Sequence, residues 1–416
     1  TFELAKTPLI CQALIELFHH RHALPEVRVK VYQQIIELLL TKHPKARAHA
    51  GGLLNKDVMH FRHDDIQNLL IKLAWKLQTA DLHASTLSRN ECKKIIEDYL
   101  IDDEEGLGED LNTAKIHANT ILDFLVDQYA ILVERSPKQY NFVHLSIQEY
   151  LAAEHVVRLS EVDQLNWFKD HWILKNWHES ILSWFGLLDY QGKKDLVSTT
   201  LDILDEHGQD GEWQRLKATM LQTELITSDL GVTIRRSRDI LKMAINEIET
   251  SPLSEYRVNL AESIVKGSLY SKISQECRNI IIKWNNIYSP YTRRTVLKGL
   301  KHWNPDEKLF HTLYKAIFDE DWYCSYEAAL SFATVFRNDE RCIEILSNLA
   351  KKYPNPEVRA VAILVLANQN IGGEVVLEVI ALNSSSCNLQ VIKAVIIAKI
   401  KNSIHSTKDL SILLNI

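Results

Sequence analysis

Lysines next to glycines are a common means of holding a phosphate, and Gly186-Leu187-Leu188-Asp189-Tyr190-Gln191-Gly192-Lys193-Lys194 has that outline. Its glycines stand one residue too far apart for a G-x-x-x-x-G-K-(S/T) loop. Lys194 occupies the position whose hydroxyl would reach magnesium, and no strand-like segment precedes it. The two glycines are read instead as helix-end residues. Gly106-Leu107-Gly108 lacks the third glycine of a dinucleotide fingerprint and lies among carboxylates that would repel a pyrophosphate. His19, His20 and His22 carry metal-ligating imidazoles, but on a polar turn they are read as solvated, and no metal site is expected. No Ser/His/Asp or Cys/His order stands out, so no catalytic residue and no complete active site are expected. His144 is differently placed: it falls where the apolar Phe142-Val143 ends a strand-like segment and a helix begins at Leu145. A polar ring at such a junction can point out of the core.

These residues sit in a chain of 416 residues with 46% hydrophobic and 25% charged side chains, the composition of a soluble globular protein of two or three domains. Only 13 Gly and 9 Pro occur, well below the usual roughly 7% and 5%. That shortage argues for a mainly helical chain and against sandwiches, barrels and Gly-rich phosphate-binding folds. The net charge of −6 excludes a globally basic nucleic-acid binder. Cys11, Cys92, Cys277, Cys324, Cys342 and Cys387 are scattered without a C-x-x-C pair, which points to the reducing cytoplasm. No apolar run reaches the roughly 18 residues of a membrane helix. The chain opens Thr1-Phe2-Glu3, with neither Met nor a signal pattern, and is expected to be a piece of a longer protein.

Apolar spacing near 3.6 predicts helices over Thr7–Leu17 and Val27–Leu40, with Pro25 and Glu26 suited to the first turn of the second. A short loop around Gly51-Gly52 separates these from helices over Asp64–Leu77 and Ser88–Leu100, the latter opened by the Ser88/Glu91 capping box. Asp102 to Asp110 holds six acidic residues in nine, a solvated loop. β-prone Ala130–Glu134 and Gln139–Val143, separated by Arg135-Ser136-Pro137-Lys138, predict a hairpin, followed by a helix over Leu145–Leu159. Three helices, a hairpin and a following helix make a winged-helix-like unit. Beyond about residue 165 the pattern is helical and rich in aromatics, including Trp167, Trp172, Trp177 and Trp184. Arg257-x-x-Leu260, Arg293-x-x-Val296, Ser325-x-x-Ala328, Arg359-x-x-Ala362 and Val391-x-x-Ala394 then recur at intervals of 36, 32, 34 and 32 residues. A period near 34 predicts an α-solenoid of HEAT-like helix pairs. The expected fold is therefore all-α in the main: a helical domain over 1–50, a winged helix over 51–160, a linking helical region over 161–250 and the solenoid over 251–416. Arg235-Arg236-Ser237-Arg238 and Arg293-Arg294 are read as solvated helix faces.

Phe142-Val143-His144-Leu145-Ser146-Ile147-Gln148-Glu149-Tyr150-Leu151-Ala152-Ala153 resembles the F-x-H-x-(S/T)-(F/I)-Q-E-(Y/F)-(L/F)-A-A signature that closes the winged-helix region of NACHT-type signalling NTPases, NLR-like members of the STAND superfamily. Upstream, Thr7-Pro8-Leu9-Ile10, Leu24-Pro25-Glu26-Val27-Arg28, Tyr32 and Glu37-Leu38-Leu39 are similar to that family's helical region after its nucleotide-binding core. Leu73-Ala74-Trp75, Tyr129-Ala130-Ile131-Leu132 and Trp177-His178-Glu179-Ser180 continue the likeness, which spans about residues 5–185. Ala130 replaces the family's usual glycine at the wing. The resemblance implies ADP or ATP as cofactor, held mainly by a core outside this chain, with His144 at the terminal phosphate and Pro8 beside the adenine. Gln148 and Glu149 are expected to cap or to bridge to the wing. The resemblance further implies as partners the chain's own nucleotide-binding and effector domains, a trigger (protein or nucleic acid) on the solenoid, and other copies of itself in a homo-oligomer on activation. The P-loop and magnesium motif are absent from these residues, so no ATP hydrolysis by this chain alone is expected. The implied role is the regulatory and sensor half of a nucleotide-switched ATPase of bacterial anti-phage immunity; the alternative is a plain solenoid scaffold binding protein or nucleic acid.

Overall fold

The computed structural model describes residues 8–21, 25, 27–41, 61–80, 86–283, 289–369 and 373–401; the expected loop around Gly51-Gly52 and the residue His22 lie outside them. The chain divides into two compact units, Thr1–Asp210 and Gly211–Ile416. It is mainly helical, with 20 α-helices and one small antiparallel sheet among the described residues. None of these helices is long and apolar enough to cross a membrane.

In the first unit α1 (Pro8–Arg21) packs on α2 (Arg28–Thr41), and α2 in turn meets both α6 (Leu145–Val157) and α8 (His178–Tyr190). α1 continues through Arg21, so His19 and His20 are helical rather than part of a turn. α3 (His63–Thr79) and α6 form the central packed pair of the winged helix. α4 (Arg89–Ile101) opens on Ser88, whose hydroxyl accepts from the Glu91 amide while the Glu91 carboxylate accepts from the Ser88 amide, which satisfies two otherwise orphaned donors. The acidic loop is ordered by its own caps: Asp102 accepts from the Glu104 and Glu105 amides, and Asp110 caps α5 (Leu111–Asp127).

The sheet has the order β1-β3-β2, with β2 (Leu132–Ser136) and β3 (Gln139–Phe142) forming the wing. The sequence reading missed β1 (Leu87–Ser88), two residues paired antiparallel with Tyr140 and Gln139. The first wing strand also begins two residues later than expected, because Ala130 sits at φ +51, in the left-handed region, and cannot extend the ladder. The turn places Pro137 and then Lys138 at φ +61. Behind the wing run α7 (Glu161–His171), α8 and α9 (Lys194–His207). Trp167 makes edge contacts with Trp177 and Trp184, so these three tryptophans share one aromatic core, while Trp172 stacks on His207. Gly192, at φ +73, ends α8 as read from sequence, whereas Gly186 lies inside that helix.

The second unit consists of eleven described helices: α10 (Glu212–Thr227), α11 (Ile234–Thr250), α12 (Ser254–Tyr270), α13 (Ser274–Lys283), α14 (Pro290–Leu300), α15 (Glu307–Ala316), α16 (Trp322–Val335), α17 (Glu340–Lys352), α18 (Pro356–Gln369), α19 (Gly373–Asn383) and α20 (Leu389–Lys401). Each even-numbered helix packs on the next even-numbered one, from α10 through α20, and each odd-numbered helix packs on an even-numbered neighbour. This is the solenoid pattern. The five repeat positions Leu260, Val296, Ala328, Ala362 and Ala394 are buried, one on each of α12, α14, α16, α18 and α20. The stack starts at α10, upstream of residue 251. Small residues at the contacts let the helices approach, and Ser331 on α16 donates to the Leu297 carbonyl of α14 at 2.7 Å.

Candidate functional site

His144 is the residue preceding α6, with extended backbone, and its ring caps that helix. The Ser146 amide donates to Nδ1 at 3.2 Å and the Ser146 hydroxyl lies 2.7 Å from the same nitrogen. An amide can only donate, so Nδ1 is the unprotonated nitrogen and the neutral ring carries its proton on Nε2. Partial burial lowers the pKa, which keeps the ring in that neutral form. Among the described residues nothing hydrogen-bonds to Nε2, so an N–H donor is left over at a strand-to-helix junction. Arg135 on β2 reaches the Val143 carbonyl at 3.5 Å, adding a cation beside the same junction. Beneath it Phe142 and Ile147 are fully buried. Leu151 and Ala152 are packed as expected, whereas Leu145 is 58% exposed and does not join them. A donor N–H, a helix N-terminus and a nearby guanidinium suit an anion such as a phosphate. Pro8 opens α1, and its side chain lies outside the described residues. α1 packs on α2, and α2 packs on α6.

The residues one turn further along α6 do not bridge to the wing. Gln148 is buried and donates to Gln78 Oε1 at 2.8 Å, and Gln78 Nε2 donates to the Asn176 carbonyl at 2.7 Å, so a buried amide relay joins α6 to α3 and to the turn before α8. Glu149 faces the other way. Burial pushes its carboxyl up to about 7, with the Glu179 carboxylate adding to the rise, while Arg28 and His178 oppose it. Arg28 pairs with Glu179 at 2.7 Å and lies 3.5 Å from the Tyr32 hydroxyl. Tyr32 stacks on Tyr150 with ring centroids 5.2 Å apart, and Tyr150 donates to Glu154 at 2.7 Å. Arg28, Tyr32, Glu149 and Glu179 all lie in motif segments of the sequence, but their convergence there had no signal in the spacing.

In the second unit, Arg293 is not solvated. It makes two 2.8 Å bonds to Asp319, with both side chains 10% exposed, and so ties α14 to the segment between α15 and α16. Its neighbour Arg294 lies over the Tyr323 ring at 4.9 Å. Arg238 pairs with Glu276 at 2.8 Å. Arg293, Arg294 and Arg238 tie neighbouring helices together, while Arg235 is exposed on α11, as read from sequence.

Residues 28–156 match the family model described as a winged helix-turn-helix domain C-terminal to NACHT. No curated protein matches the chain. The matched span contains α2 to α6, the whole wing and His144.

Proposed function

We propose that this chain, the C-terminal part of a NACHT-type protein, is the regulatory and sensor half of a nucleotide-switched signalling ATPase. In this reading the winged helix closes over ADP held by a nucleotide-binding core elsewhere in the protein, and the solenoid receives a trigger, protein or nucleic acid. Exchange for ATP opens the closed state, and the opened protein forms a homo-oligomer that releases an effector domain. A cytoplasmic setting and a role in bacterial anti-phage defence belong to the same reading, on family resemblance. The nucleotide supplies the charge whose position differs between the two states; a ligand shifts such an equilibrium only through its differential affinity for them.

The observation that carries this reading is the Nε2–H of His144, held as a donor by the Ser146 amide within a span that matches the NACHT-associated winged helix. A donor fixed by its own helix cap reaches a phosphate oxygen without reorganising. A bond of that type, to a charged acceptor, contributes about 1.5–3 kcal/mol. His144→Ala in the full-length protein should therefore shift the closed-to-open ratio roughly 10- to 150-fold, seen as faster ADP loss and unstimulated oligomerisation. His144→Asn separates the two roles of the ring, since Asn caps a helix as well as His does but cannot reach as far. ADP loss by His144→Ala that His144→Asn fails to restore supports the reading. Unchanged ADP retention in both variants removes His144 from the switch.

A further inference from the structure

The fourth residue of the even-numbered helices is Arg257 on α12, Arg293 on α14 and Arg359 on α18, but Ser325 on α16. Arg293 ties its helix to the turn before α16, through Asp319, and Arg359 donates to the Tyr353 and Pro354 carbonyls in the turn before α18. Ser325 is buried, and its short side chain donates to the Ile317 carbonyl at 2.6 Å. Beside it a cavity of about 140 Å³ opens between those same two turns. Phe318, Trp322 and Tyr353 line it with aromatic rings, and the exposed Glu320 and Glu357 line it with carboxylates. Asp319 also lines it but is held by Arg293. Neither the Glu320 nor the Glu357 carboxylate has a hydrogen-bond or ion-pair partner among the described residues. Trp322 keeps a buried indole N–H without an acceptor, and buried donors are nearly always paired, so this wall is one acceptor short of complete.

We propose that this cavity receives the guanidinium of an arginine from a basic segment of a partner protein. The stack omits one arginine of its own series and keeps the space beside it, so a side chain supplied from outside takes the vacant place. Aromatic rings and unpaired carboxylates together select a cation, and a planar guanidinium can stack on a ring while its N–H groups point at carboxylate oxygens. Trp322 is held for that role by Tyr326, whose ring lies within 6° of parallel at 5.5 Å. The volume is well below the roughly 300–1,000 Å³ of a small-molecule site and suits a single side chain. Nucleic acid is disfavoured, because its phosphates would meet Glu320 and Glu357. The cavity lies wholly within the second unit, and the proposal rests on the stack alone, not on nucleotide switching.

The test is fluorine NMR of the 416-residue chain labelled with 5-fluorotryptophan, the Trp322 signal being the one among nine that Trp322→Phe removes. The probe is the blocked tripeptide acetyl-Gly-Arg-Gly-amide, and its control carries citrulline, the neutral isostere, in place of arginine. The arginine peptide should move the Trp322 signal saturably and the citrulline peptide should not. Glu320→Gln combined with Glu357→Gln should weaken binding about tenfold, as expected for the loss of two ion pairs. Ser325→Arg should fill the cavity from within and abolish the response. The proposal is overturned by a Trp322 signal that the arginine peptide leaves in place, by equal binding of the citrulline peptide, or by undiminished affinity in the doubly substituted chain. It is equally overturned by a Ser325→Arg chain that keeps its helical circular dichroism and still binds, or by a short oligothymidylate that moves the Trp322 signal in the peptide's stead.

Discussion

The Ser146 amide and hydroxyl both meet Nδ1 of His144, and the direction of that backbone amide tells the two ring nitrogens apart. Because Ser146 N–H donates to Nδ1, the proton is on Nε2 and the ring is a neutral donor rather than a cation. Ala130 makes a complementary point. At φ +51 it occupies a backbone region that costs an L-residue about 1–2 kcal/mol. Ile131 and Tyr129, on either side, donate to the Leu125 and Phe124 carbonyls, so the strained turn is held by the end of α5. Ala130→Gly relieves the strain but gives back about 0.5–1 kcal/mol of unfolded-chain entropy. The variant should still be more stable, by roughly 0.5–1 kcal/mol, as a higher urea midpoint of the first unit; an unchanged or lower midpoint would show that the turn carries no strain.

Among elements, the approach of successive even-numbered helices in the second unit depends on side-chain size. Gly267 on α12 faces Thr227 on α10, and Gly299 on α14 faces Val265 on α12, each so closely that an added Cβ would intrude on the neighbouring side chain. Alanine for glycine inside an exposed helix gains up to about 1 kcal/mol. At Gly299 the sign should reverse, because Val265 is β-branched, has few rotamers to move to and is itself buried. Gly299→Ala is expected to destabilise the second unit by about 1–3 kcal/mol through overpacking. Thermal unfolding decides it: a raised midpoint would mean that α12 and α14 can separate freely.

On the scale of the whole molecule, two units with different contact patterns share one chain. The first is a bundle with contacts among segments distant in sequence, such as Arg28 with Glu179 and Gln148 with Gln78. In the second, each helix touches its near neighbours in the stack, so stability is close to a sum of local terms. Leu366 is fully buried on α18, a helix that packs on both α16 and α20. Leu366→Ala should cost about 2–5 kcal/mol, felt as faster hydrogen exchange in α16, α18 and α20 with little change in α10 and α12. Uniform loss of protection across the second unit would instead mark it as a single cooperative block.

Helix periodicity, the Ser88/Glu91 box, the wing hairpin and the 32-to-36-residue repeat were all readable in the sequence because each is set by residues within a few turns of one another. The same holds for His144 at its junction. What no local pattern could carry was partnership across the fold: β1 is two residues that pair only because β3 lies beside them. Arg293 read as a surface charge until Asp319, 26 residues on, came within 2.8 Å. Arg28, Glu149 and Glu179 were legible as three separate motif residues, with Glu149 read as a cap or a bridge to the wing. Only the packing of α2 against α8 brought Arg28 within 2.7 Å of Glu179, because the spacing of residues along a chain does not specify which distant charges meet.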